Sequence, residues 1–238
     1  FGQSAGSFSV QTLLASPLTK GDIAGIIVMS CADISRSEPI MQQQPMEKAE
    51  KQGAEFLRDI GCCSIEELRN VKMERLLEVS IKGFMKYRMG TVVDHYLLER
   101  TVSECYERGM YPDVPMVIGN TTGEWDLVWN GIKDPEMWKK QKRQAMGKAA
   151  ERYLDLVQVE TGEDVLRATQ ESHALLVKNR ALCEWNVRYG HKPCYLYLFD
   201  HDLPGDKSGS FHSSELWYVF GTITRCWRPM TGIDYDIS

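Results

Sequence analysis

Phe1-Gly2-Gln3-Ser4-Ala5-Gly6 opens the chain, and Gly2 to Gly6 form a G-x-S-x-G pentapeptide. Residues 5–16, Ala-Gly-Ser-Phe-Ser-Val-Gln-Thr-Leu-Leu-Ala-Ser, read as a small-residue helix ended by Pro17. The order therefore sets a serine in a tight turn directly before a helix. In a turn of this kind the serine backbone is strained, glycines two residues to either side relieve crowding, and the hydroxyl projects above a sheet edge. The helix N-terminus behind it favours negative charge, and the backbone N–H of Ala5 is placed as one oxyanion donor. An ordinary Gly-rich turn would carry the same letters, so the choice rests on the rest of the chain.

Working outward, the turn Thr19-Lys20-Gly21-Asp22 leads into Ile23-Ala24-Gly25-Ile26-Ile27-Val28-Met29, an apolar run expected to be a strand buried on both faces. Residues 47–60 place Ala49, Gly53, Phe56, Leu57 and Ile60 at helical spacing and are closed by Gly61. Ser64-Ile65-Glu66-Glu67 is a capping box that opens a helix-turn-helix reaching about Lys82. Val114 to Gly119 and Cys194 to Phe199 are two further buried-strand candidates. Between them a mostly helical stretch runs from about Pro135 to Val187, without a Pro-rich linker or low-complexity tract, and reads as an insertion over a sheet. Strands alternating with helices indicate an α/β fold with a mostly parallel sheet.

Composition narrows the partners. The 238 residues carry 28 basic and 33 acidic side chains, a net charge of −5, and 43% are hydrophobic. That apolar fraction excludes a wholly disordered chain, and no stretch approaches the roughly 18–20 uninterrupted apolar residues of a membrane span. An acidic chain gives no electrostatic attraction to phosphate backbones, so no nucleic-acid partner is expected. The seven cysteines are odd in number and lack CxxC spacing, which argues against a zinc site or a dense disulfide scaffold but leaves room for one bridge. His201 and His212 lie near Asp200, Asp202 and Glu215, yet no spacing puts three ligands on one element in a recognised metal pattern; no metal and no cofactor are expected.

A serine needs a base to take its proton and an acid to orient that base, in the chain order serine, acid, histidine for this type of turn. Val117-Ile118-Gly119-Asn120-Thr121-Thr122-Gly123-Glu124 delivers a carboxylate in the loop after a strand candidate. The strand ending at Phe199 is followed by a turn-rich loop, Asp202 to Ser210, and then Phe211-His212. Both side chains thus fall just past the C-terminal ends of strands, where α/β active sites assemble. The separations, 120 residues from Ser4 to Glu124 and 88 from Glu124 to His212, leave room for the intervening strands and helices. His95, His173, His191 and His201 are expected to be surface or structural, Trp217, Tyr218 and Phe220 to pack behind His212, and Lys139 to Arg143 to form a solvated helix face.

Three blocks resemble the type-B carboxylesterases, the α/β-hydrolase family that includes bacterial carboxylesterases, cholinesterases and neuroligin. Phe1 to Gly6 matches the family's F-G-E-S-A-G, Val114 to Glu124 its V-P-x-x-x-G-x-x-x-x-E loop, and Gly209 to Gly221 its G-x-x-H-x-x-E/D-L-x-Y-V-F-G block. Gly90-Thr91-Val92-Val93-Asp94 and Trp227-Arg228-Pro229 are weaker echoes. The resemblance implies an α/β-hydrolase fold in which residues 1–238 are the C-terminal portion of one domain of roughly twice this length, with a helical insertion at about 130–190. It also implies that the N-terminal half of the domain is missing and that this portion alone is inactive for want of the family's upstream oxyanion loop. Carried across, it implies Ser4 as nucleophile, His212 as general base, Glu124 as orienting acid and Ala5 as an oxyanion donor. The substrate would be a small-molecule ester.

Two departures stand out. Gln3 replaces the family's Glu before the nucleophile, and Gly123-Glu124-Trp125 replaces Asp-Glu-Gly, which leaves Asp126 as a rival acid. Besides a serine esterase working through an acyl-enzyme, two alternatives fit the sequence. One is a non-catalytic cholinesterase-like binding module, although such members typically lack the nucleophile or the histidine. The other is an acyltransferase using the same three residues.

Overall fold

The structure, a computed structural model, describes residues 1–34, 43–83, 86–87, 90–124 and 132–238, apart from the side chains of residues 171 and 172. Trp125, Asp126 and the first residues of the expected insertion lie outside the described residues. Four strands, β1 (Gly2–Gln3), β2 (Ile26–Met29), β5 (Met116–Thr121) and β6 (Cys194–Phe199), form a mostly parallel sheet in the order β1-β2-β5-β6. A second, two-stranded pair, β3 (Gln44–Pro45) and β4 (Val92–Val93), is parallel, with Gln44 opposite Val92. The non-sequential neighbours β2, β5 and β6 require crossover connections, which helices provide. The chain divides into two compact units: Phe1–Val28, Ala32–Val117 and Ala181–Tyr195 form the first; Met29–Cys31, Ile118–Arg180 and Leu196–Ser238 form the second.

In the first unit, helix α1 (Ala5–Ala15) begins where the pentapeptide ends and stops before Pro17, whose ring has no N–H to continue the ladder. Ser16 accepts a hydrogen bond from the Leu18 N–H at 3.2 Å and starts a 3-10 turn, Pro17–Thr19. Helix α2 (Met46–Ile60) ends at Gly61, whose N–H bonds the Arg58 carbonyl. Its apolar stripe buries Phe56 and Ile60 with Cys62, Val79 and Tyr87, and Leu57, Leu68, Val71 and Leu76 pack around them. Ser64 caps α3 (Ile65–Arg69) by accepting from the Glu67 N–H at 3.1 Å, but the Glu67 carboxylate turns to the Cys63 N–H at 2.7 Å, so only half of the expected capping box forms. Helix α4 (Met73–Lys82) completes the expected helix-turn-helix. Helix α5 (Val102–Glu107) has the full box, with Thr101 and Glu104 satisfying each other's backbone N–H groups.

A line of polar side chains holds α1 in this unit. Gln11, fully buried, donates to the Ser7 carbonyl at 2.9 Å and accepts from the Asp33 N–H at 2.9 Å. Asp33 accepts from Gln43 at 2.5 Å, and Gln43 in turn accepts from the Val102 N–H at 3.1 Å. Buried amides and a buried carboxylate remain tolerable only because each bond is made.

In the second unit the stretch expected to be helical is α6 (Pro135–Met146), a 3-10 turn at Gly147–Ala149, α7 (Ala150–Val157) and α8 (Gly162–Ala168). Helix α9 (Glu171–Arg188) follows and is shared between the two units. Asp134 caps α6 with Pro135 at its first position, and Thr161 with Asp164 boxes the start of α8. Trp138, Leu154, Val159 and Val165 form the buried core here. The basic segment of α6 is largely exposed, as expected, with the Lys142 ammonium 5.3 Å over the Trp138 ring and Arg143 paired with Glu151 at 2.7 Å. The chain closes with α10 (Leu216–Val219) and α11 (Gly232–Ile237).

Two strands depart from expectation. Ile27 of β2 and Tyr195, Leu196 and Leu198 of β6 are exposed, so neither strand is apolar-covered on both faces. β6 ends the sheet order, with β5 as its one neighbour among the described residues. No helix of the described residues is long and apolar enough to cross a membrane.

Gln11→Leu keeps the volume of the side chain and removes its polar atoms, leaving the buried Asp33 N–H without its acceptor. The expected loss is about 1–3 kcal/mol of stability, read as a lower urea midpoint; an unchanged midpoint would show that the polar line is not holding α1.

Candidate active site

Ser4 sits in the first unit as the residue before α1, with φ 56° and ψ −121°, outside the regions that an L-residue adopts without strain. Its hydroxyl does not cap the helix. The Ser4 carbonyl is held by Ser7, whose N–H and hydroxyl both donate to it, at 2.9 and 2.6 Å. Gly2 is required here: a Cβ on it would lie 2.0 Å from the Gly6 carbonyl oxygen. Gly6 differs, because a Cβ there would meet nothing within 4 Å. The crowding relieved by the two glycines is therefore that of Gly2 alone, caused by the Gly6 backbone folding back over it. Ala5 is the first residue of the helix and is exposed.

Glu124 and His212 lie in the second unit, and the structure brings them together. Past the ends of β5 and β6 the two loops stay paired through the backbone. The Thr122 N–H donates to the Phe199 carbonyl at 3.0 Å and the Gly123 N–H to the Ser210 carbonyl at 2.9 Å. The His212 N–H then donates to the Glu124 carbonyl at 2.9 Å, and Glu124 and Phe211 form a parallel bridge. A Cβ at Gly123 would stand 2.8 Å from the Ser210 carbonyl oxygen, so glycine is what lets the loops close to this distance. Side chains reinforce the seam: the Thr122 hydroxyl donates to Asp200 at 2.7 Å and shares a 2.5 Å hydrogen bond with Ser210.

This register sets the carboxylate of Glu124 against the imidazole of His212, with Glu124 Oε2 bonded to Nδ1. The other oxygen, Oε1, accepts from the Thr121 N–H at 2.9 Å, while the Glu124 N–H donates to the Thr121 hydroxyl at 3.1 Å. Glu124 is 1% exposed and its φ is 28°. A buried carboxylate with each oxygen bonded to a donor stays where it is put. An Nδ1–H held by a carboxylate fixes the imidazole tautomer.

The loop that delivers His212 has its own anchor. Arg228, buried, grips Asp206 with both terminal nitrogens at 2.9 and 3.0 Å and also donates to the Pro204 carbonyl and the Ser208 hydroxyl. Its guanidinium lies 5.3 Å over the ring of Phe211, the residue before His212. Behind it Leu203, Tyr218 and Ile223 form a small core edged by Phe199, Phe211, Trp217 and Met230. Phe220, expected in this core, is instead 49% exposed. His201 is structural as expected, bonded to the buried Asp234 at 2.8 Å.

Sequence reasoning passed over Glu215 as a residue of this site. It is 1% exposed, and no other described residue donates a hydrogen bond to either carboxylate oxygen; the buried hydroxyls of Tyr197 and Ser214 are unpartnered among the described residues. Burial pushes its carboxyl up to about 7, opposed by its own backbone N–H; the Glu124 charge adds to the rise and His212 works against it. The available signal was an acid three residues after His212, directly before the apolar run Leu216-Trp217-Tyr218-Val219-Phe220. Among the described residues, no group of three or more His, Cys, Asp or Glu side chains is arranged to hold a metal ion.

The carboxylesterase family model matches residues 1–237, and the chain belongs to that family. It is 24% identical over 238 residues to the para-nitrobenzyl esterase of Bacillus subtilis (strain 168), covering 94% of this chain and 46% of that protein. Among solved structures, a PNB esterase superimposes with a TM-score of 0.74 at 23% identity, and a thermophilic PNB esterase with 0.72 at 24%; each match covers 99% of this chain and 50% of the other. The fold is that of the α/β-hydrolases. The chain spans about half the length of the relatives it matches.

The raised Glu215 carboxyl carries a stability signature. The folded protein holds that proton more tightly than the unfolded chain, so the contribution is complete below about 4.5 and is lost as pH rises through about 7. Glu215→Gln should flatten the fall of the urea midpoint across this window and exceed the parent protein above it. Parallel profiles for the two proteins would place the Glu215 carboxyl in water.

Proposed function

We propose that residues 1–238 are the C-terminal portion of one α/β-hydrolase domain, with a helical insertion at about 130–190, and that the protein hydrolyses small-molecule carboxylic esters through an acyl-enzyme on Ser4. The observation that carries this reading is the buried Glu124–His212 pair, a carboxylate bonded to the Nδ1 of an imidazole and held by both backbone and side chain. Membership of the carboxylesterase family supports the substrate class. The strained serine before α1 supports the nucleophile.

In this mechanism His212 Nε2 takes the proton of Ser4 as Oγ bonds to the ester carbonyl carbon. The carbonyl oxygen becomes an oxyanion, and the Ala5 N–H at the start of α1 is one donor to it. Collapse breaks the bond to the alcohol, which leaves with the proton from His212. Water, deprotonated by His212, then attacks the acyl carbon; the bond to Ser4 Oγ breaks, Oγ takes the proton back from His212, and the acid leaves. Glu124 stays ionised throughout and stabilises the imidazolium. Gln3, a neutral amide in place of the acid typical of this position, leaves these steps to the same three residues.

The test uses the natural protein that carries this sequence. A fluorophosphonate should label Ser4, located by peptide mass spectrometry, and 4-nitrophenyl ester hydrolysis should fall by about 10⁴–10⁶ in kcat for Ser4→Ala or His212→Ala and by about 10⁴ for Glu124→Gln. An adduct on another residue, or turnover unchanged in Ser4→Ala, would overturn the assignment.

A further inference from the structure

Outside the candidate site the structure places two thiols together. Cys183, in the last turns of α9, and Cys194, the first residue of β6, have their sulfur atoms 2.7 Å apart, nearer than unbonded sulfurs ordinarily sit, while both are free thiols. Both belong to the first unit and are half-buried.

The segment between them is held tightly. The helix closes with the Gly190 N–H on the Val187 carbonyl at 3.0 Å and the His191 N–H on the Asn186 carbonyl at 3.1 Å. Asn186, fully buried, accepts from the Tyr111 hydroxyl at 3.0 Å and donates to the Lys192 carbonyl. The Lys192 N–H donates to Asp113 at 2.6 Å, and the His191 ring meets Tyr111 edge to face at 4.7 Å. The turn thus fixes both Cα positions before any bond forms, which removes the need for backbone movement that limits most cysteine pairs. The pair is also chemically unequal: the hydrogen bond with Cys194 draws the Cys183 thiol down, whereas that same bond, together with burial, pushes Cys194 up.

We propose that Cys183 and Cys194 are a dithiol that closes to a disulfide by exchange with a low-molecular-weight disulfide such as oxidised glutathione, joining the end of α9 to the start of β6. Cys183, as thiolate, attacks one sulfur of the reagent, forms a mixed disulfide and expels one glutathione thiolate. Cys194, giving up its proton, then attacks the Cys183 sulfur and expels the second. The two protein thiols lose two electrons in all, the reagent gains them, and the two protons end on two glutathione molecules. Glutathione in excess runs the sequence backwards.

The folded chain is incubated with oxidised glutathione, remaining thiols are alkylated, and the protein is digested without reductant. The expected product is a Cys183–Cys194 peptide two hydrogens lighter than its dithiol form and restored by dithiothreitol, with the other five cysteines alkylated. Cys194→Ser should stop at a stable glutathione adduct on Cys183, which holds the proposal to its order of attack even if the bridge alters stability. Alkylation of both Cys183 and Cys194 after prolonged incubation, or an adduct on Cys183 that persists beside an alkylated Cys194 in the parent protein, would overturn it.

Discussion

The bond between Glu124 and His212 is the constraint on which the candidate site depends. A carboxylate buried to this degree is costly unless its oxygens are bonded, and an imidazole is useful as a base only when one tautomer is fixed. One contact satisfies both conditions. It also explains why so much local structure converges on two residues: the Thr121 N–H on the second oxygen, the close approach at Gly123 and the hydroxyl pair of Thr122 and Ser210 all act to keep that bond aligned.

The alignment is produced by backbone pairing before side chains are considered. Backbone pairing continues past β5 and β6, from the Thr122 N–H on the Phe199 carbonyl and the Gly123 N–H on the Ser210 carbonyl to the bridge between Glu124 and Phe211. Loops that long would otherwise vary in conformation. Arg228 answers the same need from the other side, by tying Asp206, Ser208 and Pro204 into one knot and covering Phe211. Glu215 is the residue out of balance. It buries a second carboxyl near the pair, and burial first, with the Glu124 charge adding to it, raises its pKa.

Much of this was legible in the amino-acid order. β6 is found at Cys194–Phe199 as expected, α1 stops before Pro17, and α2 stops at Gly61. These are local matters, decided by apolar runs, proline and glycine. The pairing of Glu124 with His212 was legible through their shared position after strands, reinforced by family resemblance. What escaped reading depended on the third dimension. The exposure of Tyr195, Leu196 and Leu198 is a matter of what covers each face of β6, which apolar content does not encode. The same holds for the grip of Arg228 on Asp206 across 22 residues, for the diversion of Glu67 to the Cys63 N–H and for the burial of Glu215.

The claim that organises the rest is that Glu124 holds the Nδ1 proton of His212. Proton NMR tests it directly, because an imidazole N–H bonded to a buried carboxylate gives a resonance shifted far downfield and shielded from exchange with water. The account predicts such a signal in the parent protein, its loss in His212→Ala and its loss or large upfield movement in Glu124→Ala with the fold retained. A downfield signal that disappears in His212→Ala but survives Glu124→Ala unchanged would contradict it.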